Sequence, residues 1–166
     1  INAIKSINQN NSDKIKLHLI GINTIPKEKE KIINLINNDN NFYVKDRIDK
    51  KLLLQYIEKS DVLFLTSYEH NKGWYPVKML EYYAIGKPIF LCPSDSDTME
   101  NFILNSNSGL IANTIEECKS ILLNWLREKE KGKSILMKRN LDFGNKYSRR
   151  TQTKKLASLI NNIAHE

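Results

Sequence analysis

DVLFLTSYEHNKGWYPVKMLEYYAIGKPIFLCPSDSDTMENFILNSNSGLIA, from Asp61 to Ala112, decides the fold. Asp61 to Ser67 is a near-continuous apolar run, the pattern of a strand buried on both faces. A loop then leads to a helix that opens at Pro76, runs to Ile85, ends at Gly86 and is stopped by Lys87-Pro88. Ile89-Phe90-Leu91-Cys92 reads as a second buried strand. Asp97 and Glu100 stand at the spacing of a capping box, opening a helix over Thr98 to Leu104. Gly109 to Ala112 is a short last strand.

The same alternation continues in both directions. Upstream, Ile15 to Ile20 forms a strand that ends at Gly21, and Pro26 opens a helix to Asn37 with Ile32, Ile33, Leu35 and Ile36 on its buried side. Phe42-Tyr43-Val44 is a short strand, and Asp49 caps a helix on which Leu53, Tyr56 and Ile57 share a face. Downstream, Thr114-x-x-Glu117 is a capping box. It opens a helix carrying Ile115, Cys118, Ile121, Leu122, Trp125 and Leu126, which Gly132 breaks. A final helix from Tyr147 places Leu156, Leu159, Ile160 and Ile163 on one stripe. Strands alternating with helices predict a doubly wound parallel sheet, a Rossmann-like α/β fold, in one domain spanning residues 1–166. Such sheets take ligands outside the carboxyl ends of their strands, here the loops after Ile20, Val44, Leu65 and Leu91.

Composition narrows the class. The chain has 166 residues, 40% apolar and 27% charged, the balance of a globular domain with a real core. No apolar run approaches the roughly 20 residues that span a bilayer, and no signal peptide is expected. Cys92 and Cys118 have no Cys or His at metal-ligand spacing and read as free thiols of a cytoplasmic protein. His18, His70 and His165 form no cluster, so no metal is expected. The net charge of +7 is spread widely, with extra density from Lys129 to Lys155. It lacks the aromatic interleaving of a nucleic-acid surface, and no nucleic-acid partner is expected. A solvated face accounts for it, with peripheral attraction to an anionic membrane as the second reading.

The chemistry lies in SYEHNKGWYPVKMLEYYAIGKP, Ser67 to Pro88. A long loop entering a helix offers unpaired N–H groups and a partial positive charge suited to phosphate. Pro76 donates nothing, so Val77, Lys78 and the loop around Gly73 are the candidate donors, and Lys78 adds a full charge against a diphosphate. Glu81, one turn further in, can accept two hydroxyl hydrogen bonds from a ribose. The same spacing equally fits a Lys78–Glu81 surface pair worth ~0.2–0.5 kcal/mol. Trp74 and Tyr75 fit either packing or a sugar-stacking platform.

This ordered set resembles the carboxy-terminal, nucleotide-sugar-binding domain of retaining GT-B glycosyltransferases of the group 1 family. The matching pieces are Ser60-Asp61-Val62, Thr66-Ser67, Glu81, Ala84-x-Gly86-x-Pro88-Ile89 and Gly109-Leu110. Upstream, Leu19-Ile20-Gly21 resembles the end of one family strand and Phe42-Tyr43-Val44 resembles another family strand. No single piece is specific, but the order and spacing are. In that family two glutamates separated by seven residues contact the donor. Glu81 matches the second, which holds the ribose; Gly73 falls on the first, which normally touches the sugar ring, and Glu69 reaches that place only if the loop rearranges.

The resemblance implies transfer of a hexosyl group from a UDP- or GDP-linked sugar, without cofactor or metal and with retained anomeric configuration. The acceptor is a saccharide or lipid-linked hydroxyl, and the version with Lys78 ahead of Glu81 resembles a subgroup from bacterial surface-polysaccharide gene clusters. It places the base near Lys45-Asp46-Arg47-Ile48, with Lys45 and Arg47 as contacts, and Ser94 on the same cleft. It assigns no catalytic base here; Lys78 supports the leaving diphosphate. It also implies an amino-terminal domain and a first strand preceding Ile1, so the 166 residues alone are expected to be inactive. Three other readings compete: a sugar-nucleotide epimerase, whose acid and base residues are not found; a phospho-accepting receiver domain, whose acidic pair is missing at Gly21-Ile22-Asn23; and a non-catalytic module that kept the fold.

Overall fold

Hydrophobic period alone places most elements of the computed structural model, which describes residues 1–11, 14–22, 25–67 and 72–164. In chain order these are α1 (Asn2–Asn10), β1 (Leu17–Ile20), α2 (Pro26–Ile36), β2 (Phe42–Lys45), α3 (Lys50–Lys59) and β3 (Leu63–Leu65). They continue with α4 (Val77–Ile85), β4 (Ile89–Leu91), α5 (Thr98–Ser106), β5 (Gly109–Ile111), α6 (Ile115–Glu130), α7 (Leu141–Asn145) and α8 (Arg149–Ala164). Every strand pair is parallel, as βαβ crossovers require, so the fold is mixed α/β of the Rossmann-like kind. The chain divides into two compact units, Ile1–Asp61 with Asn113–Ile135, and Val62–Ala112 with Leu136–Glu166.

In the first unit β1 and β2 pair from Leu17↔Phe42 to Ile20↔Lys45. The two-residue period turns Leu17, Leu19, Phe42 and Val44 to a core built on Ile4, Ile36 and Phe42, with Leu122 of α6 packed against it. The alternate positions, His18 and Tyr43, stack on the other side with ring centroids 4.6 Å apart. Buried Asn8 of α1 is satisfied by both backbone groups of Ile15, at 2.9 Å each. Asp49 caps α3 by accepting from Lys51 N–H at 2.8 Å and Leu52 N–H at 3.4 Å. Thr114 and Glu117 form the reciprocal capping box of α6.

In the second unit the strand order is β3-β4-β5, in register from Leu63↔Ile89↔Gly109 to Leu65↔Leu91↔Ile111. Gly109 is forced: a Cβ there would lie 1.9 Å from the Ile89 carbonyl oxygen. Met79 and Tyr83 of α4 pack with Met99, Phe102 and Ile103 of α5 against Leu65, Ile89 and Leu91. The α8 helix forms, beginning at Arg149 rather than Tyr147. Its expected stripe is not buried: Leu156, Leu159, Ile160 and Ile163 are 55–72% exposed. Among the described residues no helix is long and apolar enough to cross a membrane.

Candidate active site

The loop leaving β3 reaches α4 through Trp74, Tyr75 and Pro76. Pro76 takes the N-cap position at φ −64°, ψ 130°, and no side chain caps the helix. Its carbonyl accepts from Met79 N–H at 3.0 Å and Leu80 N–H at 3.4 Å. The N–H groups of Val77 and Lys78, the first two of the helix, have no intrahelical partner. Val77 is 61% exposed, so this helix start opens to solvent. At the other end Gly86 closes α4 at φ 90°, and Arg139 lies against it: its guanidinium donates to the Tyr83 carbonyl at 2.6 Å and sits 5.3 Å from the Tyr83 ring centroid.

Glu81 and Lys78 do not pair. The Lys78 ammonium lies 5.5 Å from the Tyr82 ring centroid, one turn into the helix. Lys78 is an exposed residue, and partial desolvation of its ammonium lowers its pKa. The Tyr82 phenol is pushed up to about 12 by its own burial and then by the charge of Glu81. The Glu81 carboxylate is exposed and has neither a hydrogen bond nor an ion pair among the described residues.

The other expected contacts are already engaged in different ways. Gly73, at φ 70°, donates its N–H to the Asp97 carboxylate at 2.7 Å. Tyr75 joins an aromatic cluster: its hydroxyl is 3.2 Å from that of Tyr147, and its ring meets Phe102 edge-on. Trp74 remains largely exposed. Ser94 donates its hydroxyl to Glu100 and accepts from Ser96 N–H at 2.9 Å, so it serves the turn out of β4. Asp97 does not cap α5. Asp95 does, accepting from Met99 N–H at 2.8 Å, Glu100 N–H at 3.1 Å and Asp97 N–H at 3.2 Å. Ser96 adopts φ 49°, and this left-handed residue turns the chain so that the earlier aspartate reaches the helix.

Lys45 and Arg47 belong to the first unit. The Lys45 ammonium donates to the Tyr56 hydroxyl at 2.6 Å, and Arg47 is exposed on the loop after β2. Glu69 and His70 lie outside the described residues. Among the described residues, no three His, Cys, Asp or Glu side chains gather as a metal site would need.

Sequence reasoning missed Asp95, Asp97 and Tyr147 as partners of these loops. Asp95 was visible as a second acid in SDSD. Tyr147 sits 72 positions from Tyr75 and carries no local signal.

An open helix start near a solvent-facing carboxylate, at the carboxyl end of a parallel strand, is an arrangement suited to an anionic ligand. The sequence model of the family described as Glycosyl transferases group 1 matches residues 1–136, and the chain belongs to that family. Glycosyl transfer from a nucleotide-sugar donor to an acceptor is therefore its class of reaction. Neither a curated protein nor a solved structure matches the chain.

Proposed function

We propose that these residues are the donor-binding domain of a retaining GT-B glycosyltransferase. The Val77 and Lys78 N–H groups and the positive end of α4 receive the diphosphate of a UDP- or GDP-linked hexose, and Glu81 accepts hydrogen bonds from the ribose hydroxyls. Lys78 swings from Tyr82 toward the leaving group. The bond from sugar C1 to the β-phosphate oxygen breaks, and the nucleoside diphosphate departs with the electron pair. The acceptor oxygen bonds to C1 on the same face and passes its proton to the departing diphosphate oxygen. Helix N–H groups and the lysine charge stabilise the departing diphosphate electrostatically. Gly73, Trp74 and Tyr75 border the sugar, and Ser94 shapes the adjoining loop. The acceptor is a saccharide or lipid-linked hydroxyl in bacterial surface-polysaccharide synthesis, at the cytoplasmic face of the membrane.

One observation carries this reading: Glu81 stands exposed, with no hydrogen bond or ion pair among the described residues, close in sequence to an uncapped helix start and three residues from Lys78. Gly73 in place of a sugar-contacting glutamate favours a second reading, a nucleotide-sugar-binding module without catalysis. Thermal shift with UDP and GDP tests the site. At ~100 times its dissociation constant a nucleotide adds about 2.7 kcal/mol. That gain should disappear in Glu81→Ala; indifference of the wild-type chain to both nucleotides contradicts the donor-site reading.

A further inference from the structure

We propose that Tyr147 is a positioning residue for the donor site: through the Tyr75 hydroxyl it holds the loop Gly73–Pro76, and with it the open end of α4, in the form that receives a nucleoside diphosphate. The proposal rests on the donor-site reading above and adds to it a residue outside the 1–136 family match.

Three contacts support it, all within the second unit. The Tyr75 and Tyr147 hydroxyls are 3.2 Å apart and their rings 5.1 Å apart, tilted by 39°. Both rings meet Phe102, which is 1% exposed: Tyr75 at 6.5 Å and Tyr147 at 5.1 Å, each edge-on. A buried ring of α5 thus serves as the fixed surface against which the two tyrosines are set. Tyr147 is itself held by Phe143, at 5.5 Å, just beyond the residues that anchor the far side of α4. There the Tyr83 hydroxyl donates to the Asn140 carbonyl at 3.0 Å, and Gly144 lies so close to Tyr83 that a Cβ would fall 2.1 Å from its ring.

No side chain caps α4, and Gly73 has open space where a Cβ would stand. The bond from Gly73 N–H to Asp97 fixes the loop three residues before Pro76; the tyrosine pair fixes it immediately before. Tyr75 is the last residue ahead of the N-cap, so a change in its position changes the direction of the first N–H groups of the helix. The Tyr75 phenol is pushed up to about 12, chiefly by its bond to Tyr147 and then by burial, so it keeps its proton at neutral pH.

The test uses the whole chain, with calorimetric titration of UDP and GDP well below the melting midpoint. It compares wild type, Tyr147→Phe, Tyr75→Phe, the double variant and Glu81→Ala. Tyr147→Phe keeps the ring and removes only the hydroxyl. It should weaken the nucleotide that binds by about 2- to 10-fold, the range of one neutral hydrogen bond. The double variant should bind no more weakly than either single one, because both remove the same bond. If Tyr147→Phe fails to fold, Tyr75→Phe breaks the pair from the other side and carries the test.

A merely structural hydroxyl would lower the melting midpoint and leave the dissociation constant unchanged. That outcome, with binding still lost in Glu81→Ala, overturns the positioning role and leaves the donor site standing. Additive losses in the double variant also overturn it. Wild type that binds neither nucleotide, or Glu81→Ala that binds like wild type, removes the donor site and this proposal together.

Discussion

α4 and α5 start in parallel circumstances and finish them differently. Each follows a buried strand of the same sheet, and those strands pair Leu65↔Leu91 at their carboxyl ends. The start of α5 is closed by Asp95, whose carboxylate accepts three backbone N–H groups. The start of α4 has a proline at the N-cap and no side-chain cap. An internal carboxylate occupies one anion-binding helix end, and the other stays open to an anion from solution. On the proposed reading the difference also separates stability from binding: the closed end serves the fold, and the open end is left to receive a ligand.

The largest expected effect falls on the open end. Glu81→Ala should leave the ligand-free stability within ~0.5 kcal/mol, since the exposed carboxylate makes no bond among the described residues. It should also remove most of the nucleotide stabilisation. Unfolding curves with and without UDP or GDP read both, and a large loss without nucleotide would mean that Glu81 is structural.

Next comes the closed end. Asp95→Ala removes the cap of α5 and should cost ~1–2 kcal/mol, read as a lower denaturation midpoint. Its nucleotide affinity should stay near wild type; a loss of affinity greater than that of Glu81→Ala would erase the contrast between the two helices.

The smallest effect lies in the first unit. Partial burial against Tyr43, then the charges of Lys16 and Lys45, hold the His18 pKa below its usual 6.5. The unfolded chain therefore takes up this proton first on acidification. Stability should fall slightly as pH drops below ~6.5, and the loss should be complete once pH is below the folded-state value. His18→Gln should flatten that slope; an unchanged slope assigns the pH dependence to other groups.

What could be read from sequence was local. Asp49, Thr114 with Glu117, and Gly86 at φ 90° announce helix ends through the chemistry of one turn, and each does so in the structure. Glu81 was legible through a spaced motif. The cap of α5 was assigned to the wrong aspartate because Ser96 bends the backbone, and a left-handed serine leaves no mark in composition. Tyr147 against Tyr75, and Arg139 against Tyr83, join positions 72 and 56 residues apart, where periodicity carries no information. The apolar stripe of α8 was correctly periodic, yet period predicts an amphipathic helix and not what covers it.

Amide resonances compare the two helix starts most directly. Titration of the nitrogen-15-labelled chain with UDP and GDP should move the Val77 and Lys78 N–H signals saturably with one of them. The Met99 and Glu100 signals, engaged by Asp95, should stay in place. Stationary Val77 and Lys78 signals, or a response confined to Met99 and Glu100, would contradict the account.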